Sequence, residues 1–330
     1  MTGSSISVVI PAFNSARTLE SCLEALSHSS VQPRECIVVL DGCSDDSAAV
    51  AERHGVTAIR MAVRSGPTRA RNVGVAHATG DLILFLDSDV CVHFDTLARI
   101  LNRFDEDPGL NGVIGAYDDS PAASTFLSQY RNLLHCFTHR AGRSRASTFW
   151  CGCGAVRRET FVAAGGFDER FERPSIEDIE FGSRLTAQGG RILLDPQIQV
   201  QHLKRWTLLN MLRTDVFDRG IPWTRLILRS RSMPNDLSVR VSQQASLTIL
   251  VLLVAMASLG QPLPAVACAV AFLALNAAFY RFLAVRRGVL FAVRAVPLHV
   301  LYFLSSGVAF FLGALAHFVS ADSYQRRTHE

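Results

Sequence analysis

Between residues 241 and 320 the chain has no aspartate, glutamate or lysine, and its only charges are Arg281, Arg286, Arg287 and Arg294. Eighty residues this poor in charge cannot clothe a soluble surface. The block holds three apolar runs, 245–259, 265–283 and 296–319, with a Gly-Gln-Pro-Leu-Pro break after the first. The last two approach or exceed the roughly 20 residues that span a bilayer. The first reaches that length only with 242–244 or the proline loop. About three transmembrane helices are therefore expected, near 244–262, 265–283 and 297–319. Buried helices of a soluble protein are the alternative. Arg225, Arg229, Arg231 and Arg240 precede the first run, the four arginines of the block separate the second from the third, and the first loop has none. Positive charge marks the cytoplasmic side, so a multi-pass membrane protein with its large domain in the cytoplasm is expected. Residues 288–295 are too short to span and are expected in the interface. Three spans would leave the C-terminus outside, although Arg326 and Arg327 argue against that.

The change in composition divides the 330 residues into an expected domain 1–236 and a membrane domain 237–330. A net charge of +4 is too mild to imply a nucleic-acid partner. Eight cysteines lie without CxxC or metal-finger spacing, which fits a reducing compartment. Residues 1–5 lack a basic and apolar leader, so no signal peptide is expected.

The first ninety residues alternate extended apolar runs with helical periodicity. Strands are expected at 5–10, ending at Pro11, and at 36–40, 57–61 and 82–86, with helices at 16–27, from about 45 to 54, and at 67–78. Strands alternating with helices imply an α/β fold around a mostly parallel sheet. Further on, the pattern gives helices at 95–104, 126–139, 159–164, 177–187 and 208–217 and strands at 112–117, 150–156, 191–194 and 197–202. Residues 141–147 read as a basic flexible loop.

Within this pattern Leu82-Ile83-Leu84-Phe85-Leu86 ends in Asp87-Ser88-Asp89. Ligands of parallel sheets sit beyond the carboxyl ends of the strands. Strand alternation would send both acids to one side, where a hard divalent cation would relieve their repulsion. A polar loop after a core strand is the bland alternative.

Four stretches, in order, resemble the family 2 glycosyltransferases of the GT-A fold. They are Ser7-Val8-Val9-Ile10-Pro11-Ala12-Phe13-Asn14, Val38-Val39-Leu40-Asp41-Gly42-Cys43-Ser44-Asp45-Asp46-Ser47, Ala70-Arg71-Asn72-Val73-Gly74 and Asp87-Ser88-Asp89. Leu40 stands where the second motif more often has an acid. The resemblance covers roughly residues 5–220 and omits the membrane segment. It implies a nucleotide-diphosphate sugar donor, most simply UDP-linked, held by Pro11, Ala12, Asp41, Arg71, Asp87 and Ser88. Mg2+ or Mn2+ would bind at Asp89, with Asp87 near the ribose or the metal and His202 facing the metal. Such a cation neutralises a diphosphate leaving group of about two negative charges. Asp45 also reads as a helix cap, Arg71 as a packing or salt-bridge residue, and His202 as a packed histidine.

Downstream, Arg157-Arg158-Glu159-Thr160-Phe161 and Gly165-Gly166-Phe167-Asp168-Glu169-Arg170-Phe171 resemble the family's acceptor-side segment, and Ile176-Glu177-Asp178-Ile179 resembles its ED helix. The resemblance implies inverting transfer with Asp178 as the general base that takes a proton from the acceptor hydroxyl. Glu177, Trp150 and Gly154 fall on the acceptor side. A first-turn acidic cap is the alternative for Glu177 and Asp178. The run Gln201-His202-Leu203-Lys204-Arg205-Trp206 is one residue too long for the QxxRW signature of processive members, so a single addition is expected. Lys204, Arg213 and Arg219 read as diphosphate or lipid-phosphate contacts, or as a solvated face. The membrane spans suggest a lipid, a lipid-linked saccharide or a membrane-associated precursor of a cell-envelope glycan as acceptor. A polyprenyl-phosphate glycosyltransferase and a nucleotidyltransferase are the alternatives. The latter resembles a glycine-rich, lysine-bearing first loop that Pro11-Ala12-Phe13-Asn14 lacks.

Overall fold

The structure is a computed structural model that describes residues 4–171, 173–230 and 240–327, with side chains as far as Val319. The chain forms two compact units, Met1–Arg205 and Trp206–Glu330. The expected boundary at 236/237 lies outside the described residues.

The first unit is built on a mostly parallel sheet. Its first strands are β1 (Ile6–Ala12), β2 (Glu35–Asp41), β3 (Thr57–Met61) and β4 (Leu82–Leu86), connected by α1 (Ala16–Ser27), α2 (Ser47–Arg53) and α3 (Pro67–His77). They lie in the order β3-β2-β1-β4, all parallel. Every residue of β4 is buried, as a continuous apolar run in a parallel sheet requires. β1 does not stop at Pro11. Pairing with β4 ends at Val9, so Pro11 has a neighbour on one side only, where a sheet tolerates proline.

The other half follows as β5 (Val90–Val92), α4 (Thr96–Glu106), β6 (Gly112–Tyr117), α5 (Phe126–Arg140), β7 (Arg145–Ala146), β8 (Cys153–Arg157), α6 (Arg158–Ala163), α7 (Glu177–Ala187) and β9 (Ile192–His202). β8 is antiparallel to both β4 and β6, and β9 is parallel to β6. β4, β6 and β9 therefore point the same way. The two strands expected at 191–194 and 197–202 are one. Leu194 pairs with Ile114 and Gln199 with Ala116, so residues 195–198 bulge without ending the strand. A Cβ on Gly115 would lie 2.5 Å from the Ile198 carbonyl oxygen, so only glycine admits the bulge. The expected loop at 141–147 contains β7, which pairs with Leu193 and Ile192. Behind the sheet, Phe85, Phe149, Phe161, Phe167 and Phe181 pack ring to ring at centroid distances of 5.0–6.2 Å.

The second unit is helical: α8 (Leu208–Arg213), a π-helical segment (Thr214–Gly220), α9 (Ile221–Ser230), α10 (Val241–Ser258), α11 (Pro262–Leu275), α12 (Ala277–Arg287) and α13 (Val289–Arg327). Two helices, Val241–Ser258 and Val289–Val319 within α13, are long and apolar enough to cross a membrane. The second expected span is a bent pair, α11 and α12, meeting at 59°, and counts as a third only if the pair is one span. The break is Asn276, whose amide donates to Ser246 Oγ at 3.0 Å and to the Phe272 carbonyl at 2.9 Å. The expected interfacial piece 288–295 is not separate. From Val289 it forms the first turns of α13, and Pro297 lies inside the same helix. The helix expected at 208–217 gives way to the π-helical segment at Thr214. Beside that segment, Gly220 and Ala309 pack so closely that an added Cβ would meet the alanine methyl at 2.4 Å.

Candidate functional site

Parallel strands bring their carboxyl ends to one edge of the sheet. Ala12 ends β1, Asp41 ends β2, and Asp87 follows β4. β6 and β9 end there too, at Tyr117 and His202. β8 runs the other way, so its start joins the same edge, with Cys153 paired to Leu86. The acids after β4 and the residues before β8 are thus neighbours, although more than sixty residues separate them.

At the end of β2, Asp41 is almost wholly buried. Its two oxygens accept backbone N–H groups from Ser65 at 2.6 Å and Gly66 at 2.8 Å, tying the loop before α3 to the end of β2. Gly42 follows at a φ of +67°, in the left-handed region, and a Cβ there would lie 2.6 Å from the Arg64 backbone nitrogen. Asp45 does the work of a cap for two helices. One oxygen accepts the Ala16 N–H at 2.9 Å and the other accepts Ser47 N–H and Oγ. Pro11 and Ala12 lie at the end of β1, and the Phe13 ring beyond them carries the Arg64 guanidinium 3.9 Å from its centroid.

The two acids after β4 lie beyond the strand itself. β4 ends at Leu86, and residues 87–89 form a turn closed by the Val90 N–H on the Asp87 carbonyl at 3.1 Å. The turn ends strand alternation, and Asp87 and Asp89 take different partners. Asp87 accepts from Arg71 Nη2 at 2.7 Å, while Arg71 Nη1 donates to Glu177 at 2.9 Å. The Arg71 side chain is 5% exposed and that of Glu177 6%. Glu177 also accepts the Ser175 N–H at 2.8 Å. Next along α7, Asp178 accepts the backbone N–H groups of Ile179 at 2.8 Å and Cys151 at 3.2 Å. The expected donor-side Asp87 and Arg71 and the expected catalytic helix are thus one connected network. The Cys151 thiol lies among the same charges, and burial pushes its pKa well above the ordinary thiol value.

Asp89 faces His202, with Oδ2 and Nε2 3.6 Å apart. The His202 ring stacks on Tyr117 at 4.3 Å and 10°, and its Nδ1 lies 3.2 Å from Asn132 Oδ1. Ser88 lies in the turn between the two acids.

Trp150 is buried, edge-on to Tyr117 at 4.8 Å and to His139 at 4.7 Å. Gly154 lies inside β8, where a Cβ would meet the Trp150 carbonyl oxygen at 2.3 Å. Gly154 lies within the sheet and Trp150 in the segment that leads into β8. Arg213 and Arg219 belong to the second unit. Asn132, Tyr117 and the Arg71–Glu177 pair were not anticipated. The only sequence signal for Asn132 was a polar residue on the inward face of an apolar helix.

The sheet order, with two acids beyond β4 and a third at the head of α7, is that of a GT-A glycosyltransferase fold. Residues 7–163 match the family model described as glycosyl transferase family 2. An uncharacterized glycosyltransferase of Haemophilus influenzae is 31% identical over 189 residues, 53% of this chain and 60% of that protein. The undecaprenyl-phosphate 4-deoxy-4-formamido-L-arabinose transferase of Serratia proteamaculans is 28% identical over 209 residues, 61% of this chain and 60% of that one. The chain thus spans less than two thirds of these relatives. Among solved structures, the mannosyltransferase PcManGT of Pyrobaculum calidifontis, in complex with GDP-Man and Mn2+, superposes with a TM-score of 0.60 at 20% identity, covering 94% of this chain and 88% of that one.

Proposed function

We propose that the chain is an inverting glycosyltransferase that moves a sugar from a nucleotide diphosphate, taken as UDP, to a hydroxyl of a lipid-linked or membrane-associated acceptor. The observation that carries this reading is the Arg71 bridge. It joins Asp87, on the donor side, to Glu177, the neighbour of Asp178, so the leaving-group end and the base end of one reaction meet in one network. Asp178 is the base that accepts the hydroxyl proton, and the two backbone N–H groups on it fix the direction of its carboxylate. Arg71 orients Asp87 beside the donor, and Asp41, Pro11, Ala12 and Ser88 form the rest of the nucleotide contact. Glu177 fixes the start of the base's helix, and Trp150 and Gly154 support the acceptor side.

Asp89 and His202 suit Mg2+ or Mn2+. A carboxylate oxygen and an imidazole nitrogen 3.6 Å apart are ligands such ions accept. Among the described residues no cluster of three or more histidine, cysteine, aspartate or glutamate side chains converges, and this reading assigns two ligands to the chain and the others to the substrate. The bound cation would offset charge on the departing diphosphate. The Mn2+ in PcManGT supports this reading.

The apolar helices anchor the chain as a multi-pass protein, with the catalytic unit in the cytoplasm by the distribution of arginines. A second reading takes a lipid phosphate as acceptor, as the name of the Serratia relative suggests. A phosphate is already an anion and needs no base. The test is Asp178→Asn, assayed for release of UDP or GDP with membrane lipid extracts and a panel of UDP- and GDP-sugars. Transfer to a hydroxyl should fall about 10²- to 10⁴-fold. Transfer that survives at the parental rate discards the base and supports the lipid-phosphate reading.

A further inference from the structure

Asn132 lies on α5, outside every motif, yet it is 1% exposed and reaches His202. Its two amide ends are distinguishable by their partners. Nδ2 donates to the Asp118 backbone carbonyl at 3.1 Å, a group that can only accept. Oδ1 therefore points the other way, at His202 Nδ1, 3.2 Å distant. An amide oxygen accepts only, so Nδ1 of a neutral His202 carries the proton. The remaining nitrogen, Nε2, then presents its lone pair to Asp89 Oδ2 at 3.6 Å. A lone pair and a carboxylate oxygen facing each other repel, and a cation between them turns that repulsion into ligation. Stacking on Tyr117 prevents the ring from turning away.

We propose that Asn132 is a positioning residue for the cation site. Its side-chain oxygen holds the Nδ1–H of His202 and so keeps Nε2 deprotonated toward Asp89. This rests on the reading of Asp89 and His202 as cation ligands. A partner on the far nitrogen of a ligating histidine commonly sets affinity by 10- to 100-fold. Without Asn132 the proton can move to Nε2, where it would bond to Asp89 and occupy the place of the cation. Asn132→Leu removes the acceptor at similar volume, whereas Asn132→Asp retains it and strengthens it by charge.

The test uses full-length protein in detergent, labelled with ¹⁵N-histidine and free of metal, at a pH where histidine is neutral. In the parent, the ¹⁵N shifts of His202, assigned by their loss in His202→Ala, should report a protonated Nδ1 and a bare Nε2. A parent with the proton on Nε2 overturns the proposal without any Asn132 variant, so a misfolded variant does not rescue it. In Asn132→Leu the tautomer should shift, and the Mn2+ concentration that half-stabilises the UDP complex should rise about 10- to 100-fold. Asn132→Asp should keep the parental tautomer and Mn2+ affinity. Unchanged tautomer and affinity in Asn132→Leu, with affinity lost in His202→Ala, would overturn the role of Asn132 alone. Unchanged Mn2+ affinity in His202→Ala would discard His202 as a ligand and the role of Asn132 with it.

Discussion

Arg71 Nη1 donates to Glu177 Oε1 at 2.9 Å across 106 residues of sequence, and both side chains are almost completely buried. Breaking a buried pair leaves an uncompensated charge, which costs about 3–5 kcal/mol. Arg71→Met should therefore destabilise the chain by about that amount, because Asp87 and Glu177 both lose their cation. A second substitution, Glu177→Gln, should return part of the loss. Denaturant midpoints of the two single variants and the double variant measure the coupling. An Arg71→Met chain within about 1 kcal/mol of the parent, well under the cost of a buried unpaired charge, would show that the network is not structural.

α7 sits where it does because Gly182 lets it approach residues 148–149. A Cβ at Gly182 would lie 2.0 Å from the Phe149 backbone nitrogen and 2.4 Å from the Thr148 carbonyl carbon. Backbone cannot swing aside as a side chain can, so Gly182→Ala must push the helix away. Overpacking of this kind costs about 1–3 kcal/mol or more. Because Asp178 lies one turn earlier on α7, transfer should fall with stability, whereas Gly189→Ala, strained by its φ of +89° but with nothing within 4 Å of its Cβ, should lose stability and leave the rate of transfer near the parent's. Thermal midpoints and transfer rates of the two variants, measured together, check this. Equal losses of transfer in the two variants would mean that the close approach does not set the position of α7.

Much of this arrangement was legible from local pattern. The β/α alternation reports itself because buried parallel strands are unbroken apolar runs. Asp41 and Asp87 could be placed because each follows such a run directly. What escaped depended on distant partners. Nothing near Arg71 in sequence names Glu177, and nothing near His202 names Asn132. Alternation does not place Asp87 and Asp89, because it is a rule of strands and β4 ends at Leu86. Asp195-Pro196 looked like a break between two strands, but glycine at position 115 on the neighbouring strand absorbs the bulge. In the apolar unit, composition located the helices, but the 59° bend at Asn276, whose amide donates to Ser246 on another helix, has no local signal.

Replacing Asp89 should separate nucleotide binding from cation binding. In the parent, Mn2+ added with UDP should raise the thermal midpoint, since a ligand at 100 times its Kd adds about 2.7 kcal/mol. EDTA should cancel the increase. Asp89→Asn keeps the shape of the side chain but removes its charge, so UDP alone should bind nearly as before while the Mn2+ increment disappears. Scanning the midpoint over a Mn2+ series in both proteins decides the matter. A full increment in Asp89→Asn would remove Asp89 from the cation site.

His93 offers a separate test through pH. Its Nε2 lies 2.9 Å from Asp118 Oδ2. The bond to Asp118 raises the histidine pKa; burial opposes it, and the charges of Asp118 and Asp95 add to the rise. The folded pKa exceeds the unfolded value of about 6.5. The pair therefore contributes all its stability below that value and loses it as pH rises through the raised folded pKa. The His93 side chain is 40% exposed, so solvent screens the pair. At most about 1 kcal/mol is at stake, or roughly 2–4 °C. The midpoint of the parent should fall relative to that of His93→Gln between pH 6 and pH 8.5, the difference vanishing at the upper end. Differential scanning fluorimetry of both proteins across that range reads it directly. A difference that grows with pH would mean that His93 is favoured as the neutral imidazole and that its pairing with Asp118 is not ionic.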